Sequence, residues 1–167
     1  MSKVMIHAKW RDQADLDRKF AEANSQWEAG KLRSAFRLFL VAAKAGDQGA
    51  QLNLGNFYSD GIGVKPNRAK ALYWYRRAYQ QGSGSAASNI GILFRDEKRF
   101  NRALAWFERA VNLRDGDANV EIAKIHICRN ERAKAIRYLK RALRAKRDDI
   151  TEGSREESHH LLEQLEA

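Results

Sequence analysis

Three eleven-residue segments of this chain superpose without a gap: RAKALYWYRRA at 68–78, FNRALAWFERA at 100–110 and RAKAIRYLKRA at 132–142. Each begins 32 residues after the one before. The matched positions are Ala71, Ala103 and Ala135, then Trp74, Trp106 and Tyr138, then Tyr75, Phe107 and Leu139, then Ala78, Ala110 and Ala142. A weaker copy lies 36 residues upstream of the first, with Ala35, Leu38, Phe39 and Ala42 in register. A fixed period of this length means that one small unit recurs. Such a unit cannot bury its apolar face alone and must stack on its neighbours.

The unit is a helix pair. The Ala–aromatic–aromatic–Ala segment sets small and large residues alternately on one helical stripe. A second pattern precedes it: NLGNFYSDG, NIGILFRDE and EIAKIHICR align Gly55, Gly91 and Ala123 at a small position. A large residue comes just before that position, and Tyr58, Phe94 and His126 follow three residues after it. A Gly or Ala there lets two helices approach closely, and the aromatic packs on the same face. Composition agrees. The chain has 25 Ala and one Pro, against 15 β-branched residues, and Ala favours helices as β-branched residues favour strands.

The unit AQLNLGNFYSDGIGVKPNRAKALYWYRRAYQQG at 50–82 resembles the Sel1-like branch of the tetratricopeptide repeats. Its Gly61-Ile62-Gly63-Val64 loop and its Trp74-Tyr75 pair carry the resemblance. The 13-residue links from Ala78 to Gly91 and from Ala110 to Ala123 match the same class, as does the 16-residue step from Gly55 to Ala71. The third and fourth units depart from it, with a step of only 12 residues and no GIG loop. The resemblance covers residues 15–146. It implies an all-α solenoid of four antiparallel helix pairs that binds proteins or peptides without catalysis.

The pattern predicts helices near 12–29, 31–45, 47–59, 66–81, 84–95, 99–113, 117–128, 130–146 and 154–166. Residues 1–11 form an N-terminal extension that Trp10 would anchor. Residues 12–147 form the repeat domain, with Trp106 expected in its core. Residues 148–167 form an acidic capping helix, begun by a Ser154-x-x-Glu157 capping box and docked through Leu161, Leu162 and Leu165.

Little in the chain points to chemistry. Cys128 is the single cysteine, so an intrachain disulfide and a cysteine-rich zinc site are excluded; a buried small hydrophobe is expected there. His126 holds an aromatic repeat position and is expected to pack. His159 and His160 are adjacent, diverge by about 100° on a helix, and cannot both ligate one ion well. The GIG segment lacks the Gly-Lys-Ser/Thr of a phosphate loop and is read as a turn needing positive φ. No catalytic, metal or cofactor site is expected. The first twenty residues hold no apolar stretch, so no signal peptide, no membrane contact and a cytosolic location are expected.

The resemblance places the first helix of each pair on the concave face. Carried over residue by residue, the groove is lined by Asn24, Trp27, Asn56, Asp60, Arg95 and Lys124, with Ser88 and Val120 among their neighbours. Asn24 and Asn56 share one repeat position, where an amide can both donate to and accept from a peptide backbone. Arg95 and Lys124 add charge suited to an acidic or carboxylate-bearing ligand. The primary expectation is therefore an adaptor for a protein or peptide. An immunity protein against one bacterial toxin is a special case of it.

Charge supplies a third reading. The net charge is +10, and residues 124–147 carry ten basic side chains and one acid, whereas residues 148–167 carry seven acids and one base. Lys134, Arg137, Arg141 and Arg144 form a stripe on one helix, the footprint of phosphate binding. Against nucleic acid stand the expected lack of interleaved exposed aromatics and the acidic helix that follows. Glu152, Glu156, Glu157 and Glu163 could fold back onto the stripe, and the sequence leaves open whether they do.

Overall fold

The computed structural model describes residues 13–167, so the expected N-terminal extension and its anchor Trp10 lie outside the described residues. Among the described residues there are nine α-helices and no strand. The chain divides into two compact units, the first ending at Gln81 and the second starting at Gly82.

The first unit holds α1 (Gln13–Glu28), α2 (Leu32–Ala45), α3 (Gln48–Asp60) and α4 (Arg68–Gln80). The helices pack as the pairs α1/α2 and α3/α4, with α2 against α3. Asp47 caps α3 by accepting from the Ala50 N–H at 2.6 Å, and Asn67 caps α4 by accepting from the Lys70 N–H at 3.0 Å. Each supplies an acceptor for a helix N–H that would otherwise have none. Gly61 and Gly63 adopt φ of +73° and +64°, so the GIG segment is the positive-φ turn expected of it. Phe39 and Phe57 are fully buried, and the Trp27 ring meets both edge-on at 6.0 and 5.5 Å. Gln51 is also fully buried. It donates to the Ala43 carbonyl at 3.1 Å and accepts from Gln81 at 2.7 Å, so its amide is satisfied at both ends.

The second unit holds α5 (Gly84–Asp96), α6 (Phe100–Asn112), α7 (Asp117–Cys128), α8 (Arg132–Leu143) and α9 (Glu152–Glu166), with a 3-10 turn at Arg147–Asp149. The pairs are α5/α6 and α7/α8, joined by α6 against α7. The last helix packs on α8 and α7. Its Leu162 is buried in one cluster with Val120, Leu139 and Ile150, and Leu161 and Leu165 pack against that cluster. The helix begins earlier than the sequence suggests. Thr151, not Ser154, is the cap, and its hydroxyl accepts from the Ser154 N–H at 3.2 Å.

The small positions do what their spacing implies. A side chain at Gly55 would collide with the Tyr75 ring, and a Cβ at Gly91 would lie 2.6 Å from the Phe107 ring. In the next pair the small residue is Ala123 and the facing position holds Leu139, both fully buried in the same cluster. A ring thus faces Gly, and a shorter aliphatic chain faces Ala.

Three expectations are corrected. Trp106 is only half-buried, because the stripe of α6 is centred on Ala103, Phe107 and Ala110, all fully buried. Cys128 is exposed. It lies about 200° round the helix from buried His126, on the far side from the core. Val120 is 1% exposed and belongs to the core beneath α9, so it lines no groove; Ser88 beside it in the expected row is buried too.

The turns repeat as faithfully as the helices. Gly30, Lys98 and Asn130 close helix pairs, and Gly46, Gly82 and Arg114 join successive pairs, all with positive φ. Lys98, at φ 58°, and Arg114, at φ 66°, are side chains in a conformation that favours glycine. Lys98→Gly is therefore expected to stabilise the protein by about 0.5–1 kcal/mol, the relief of left-handed strain less the added freedom of the unfolded chain. A urea midpoint that stays put or falls would refute this.

Candidate functional site

The first helices α1, α3, α5 and α7 carry the residues expected to meet a partner. In the first unit, Asn56 on α3 is held from the second helix of its own pair: the Tyr75 hydroxyl donates to its Oδ1 at 2.8 Å. The ring that closes on Gly55 thus also orients the neighbouring amide. Asn24 and Trp27 are half-buried on α1, with one edge of Trp27 committed to Phe39 and Phe57. Asp60 is exposed at the end of α3.

In the second unit, Arg95 at the end of α5 and Lys124 on α7 are brought together by an acid between them. Arg95 pairs with Glu121, and Lys124 bonds the same carboxylate at 3.0 Å. Arg95 also meets Asp96 at 3.0 Å, and Lys124 meets Glu157 of α9 at 2.8 Å. Arg95 and Lys124 are about one-third exposed. Partial burial opposes the charge on each, but the surrounding carboxylates outweigh it. Glu121 and Asp96 raise the Arg95 pKa, and Glu157 and Glu121 raise that of Lys124. These cations are fixed and already partnered, so an acidic ligand would exchange with Glu157 or Asp96 instead of meeting bare charge. Glu121 was absent from the expected site. Its signal was the i, i+3 spacing to Lys124 on α7.

Next to this network His126 is buried, stacked on Tyr138 with ring centroids 5.5 Å apart. Its Nδ1 lies 2.5 Å from Glu131. That bond and a second one from Lys134 hold the Glu131 carboxyl below the usual range. His126 therefore ties the end of α7 to the start of α8, as a packed structural group.

The basic stripe lies on α8 and its C-cap, with Lys134, Arg137 and Arg141 on the helix and Arg144 at the cap, all exposed. The last helix folds back, but not onto the stripe. Glu157 goes to Lys124 on α7, and Glu166 goes to Lys140 at 2.8 Å. Lys134 meets Glu131 at 3.1 Å. Among the described residues no carboxylate ion-pairs with Arg137, Arg141 or Arg144. The last helix thus pairs with Lys124 and Lys140 of the basic block, and leaves the arginines of the stripe without a carboxylate among the described residues. The direction in which α9 packs sends its acids to α7 and to Lys140.

No described helix is long and apolar enough to cross a membrane.

Comparison with known proteins follows the same division of the chain. The family model for the Sel1 repeat matches residues 31–47, 49–83 and 87–115, and that for the tetratricopeptide repeat matches 118–151. The chain is 26% identical over 126 residues to the ERAD-associated E3 ubiquitin-protein ligase component HRD3B of Arabidopsis thaliana, covering 74% of this chain but only 19% of that protein. It is 31% identical over 68 residues to the putative sel1-like repeat-containing protein L21 of Acanthamoeba polyphaga mimivirus, covering 41% of this chain and 13% of that one. The chain thus spans a small part of both curated relatives. Among solved structures, a Sel1 repeat protein from Oxalobacter formigenes superposes with a TM-score of 0.64 at 21% identity, over 76% of this chain and 56% of that one. At that identity the likeness speaks for the fold alone.

Proposed function

Because this chain belongs to the Sel1-like repeat, tetratricopeptide-like family, whose repeats generally mediate protein–protein interaction, we propose that it is a non-catalytic adaptor that binds a protein partner through the first helices of its repeats. Asn24 and Asn56 supply amides to the partner's backbone. Arg95 and Lys124 supply charge, and Trp27 supplies an aromatic edge.

The observation that carries the reading is the Arg95–Glu121–Lys124–Glu157 chain of ion pairs. It holds two cations of successive first helices in place at partly exposed positions. A preorganised cation loses little freedom when a ligand carboxylate replaces its present partner. Arginine and aromatic anchors among mixed neighbours are also what protein interfaces favour.

Affinity capture with the full chain, followed by mass spectrometry, identifies the partner, and titration then tests the row. Asn24→Ala with Arg95→Ala is expected to weaken binding at least tenfold. Arg137→Ala with Arg141→Ala is expected to leave the dissociation constant within about twofold, because rim charges act on encounter more than on affinity. The reverse pattern overturns the assignment to the first helices.

A further inference from the structure

The second helices of the second unit present a face of a different kind. Over α6 and α8 together there are seven cations and one carboxylate, Glu108. That carboxylate is engaged, accepting from the Tyr138 hydroxyl at 2.5 Å, and the same bond ties α8 to α6. At the C-terminal ends of the two helices, Arg114, Arg141 and Arg144 line one cavity of about 290 Å³ together with the carboxylates of Asp115 and Asp149. Arg114 is held there by Asp149 at 3.1 Å.

As the sequence leads one to expect, no exposed aromatic is interleaved with this charge, but two partly buried rings border it. Trp106 and Tyr138 are half-buried at the edge of the core. The Arg109 guanidinium lies over the Trp106 ring at 4.6 Å, and that of Arg137 lies over the Tyr138 ring at 5.2 Å. Cation–π contact of this type holds a guanidinium over a ring without using all of its five N–H donors; one of those of Arg109 goes to the Ala105 carbonyl at 3.4 Å.

We propose that this face of α6 and α8 binds the phosphate backbone of a nucleic acid without regard to sequence. Three features favour that partner over an acidic protein. A stable protein interface needs a desolvated centre of apolar or aromatic anchors, and here both rings are half-buried with a guanidinium over each. Arginine outnumbers lysine on the face, as suits bidentate contact with phosphate. Arg137, Arg141 and Arg144 also run along one helix over about 10 Å, a line of charge of the sort that tracks a strand. This proposal is independent of the adaptor reading, since it uses neither the first helices nor their ion-pair network.

The test is fluorescence anisotropy of the full chain with a labelled thymidine 20-mer, and in parallel with a labelled glutamate 20-mer. The DNA is expected to bind with a dissociation constant of about 10 μM or tighter at 50 mM NaCl, and log affinity is expected to fall with log salt at a slope of roughly −2 to −3, the mark of three or four phosphates neutralised. Arg137→Gln with Arg141→Gln is expected to weaken DNA binding at least tenfold and to shallow that slope by about 1.4. Arg33→Gln with Arg37→Gln, an equal loss of charge at two exposed positions of α2, is expected to change it less than threefold. The proposal is overturned by an equal loss in the α2 pair, by a glutamate polymer binding as tightly as the DNA, or by no DNA binding at 50 mM NaCl.

Discussion

Phe107→Ala is expected to destabilise the second unit by about 3–5 kcal/mol, the usual cost of deleting a buried aromatic side chain. Phe107 is fully buried, and its ring fills the space that Gly91 leaves on α5. No other side chain can collapse into that space, because Gly91 has none to offer and Ala103 and Ala110 flank the ring on its own helix. Trp106→Ala is expected to cost less than about 2 kcal/mol, although Trp is the larger residue. Its side chain is half-buried, with the Arg109 guanidinium over the ring, so part of its surface is already in water and less transfer free energy is lost. Urea unfolding followed by far-UV circular dichroism checks both. If Trp106→Ala is the more damaging, the register of α6 on the core is wrong.

Gly91→Ala is expected to cost about 2–3 kcal/mol, at the upper end of what overpacking does to a close-packed site. The new Cβ would stand 2.6 Å from the Phe107 ring, and the helices must part or the ring must leave its rotamer. The chain itself suggests the remedy. At the equivalent place in α7 and α8 it sets Ala123 against Leu139. Gly91→Ala combined with Phe107→Leu rebuilds that pairing in α5 and α6. The double variant is expected to be more stable than the sum of the two single costs by at least about 1 kcal/mol, the coupling usual for residues in direct contact. Strictly additive costs in the double-mutant cycle would mean that the ring does not set the distance between the helices.

These two experiments also mark how far the residues could be read without the fold. Helix positions, the pairing of helices and the small positions Gly55, Gly91 and Ala123 follow from the repeat, whose copies are 36 and then 32 residues apart at the small position. Close approach of two helices requires a missing side chain, and that requirement is visible in any copy of the repeat. The positive-φ turn at Gly61 and Gly63 was legible for a similar reason, since local backbone chemistry alone decides it. The expected row of Asn24, Trp27, Asn56, Asp60, Arg95 and Lys124 could be named from the family resemblance. Its electrostatic state could not, because Glu121 and Glu157 reach Arg95 and Lys124 only once α5, α7 and α9 have packed.

The sequence by itself determined the unit, its period and its tight contacts. The tertiary structure decided which side of each helix stays wet. Trp74, Trp106 and Tyr138 are one repeat position, yet Trp74 is 7% exposed whereas the other two are half-buried. Periodicity names the apolar stripe of a helix, but its width depends on what the neighbouring helices bring to its edges. Around Trp74 the first unit supplies a core rich in Phe and Trp rings, while at Trp106 and Tyr138 the edge partners are Arg109 and Arg137. Packing likewise sends the carboxylates of α9 away from Arg137, Arg141 and Arg144. Local spacing fixes where a side chain leaves its helix, and only packing fixes what it meets there.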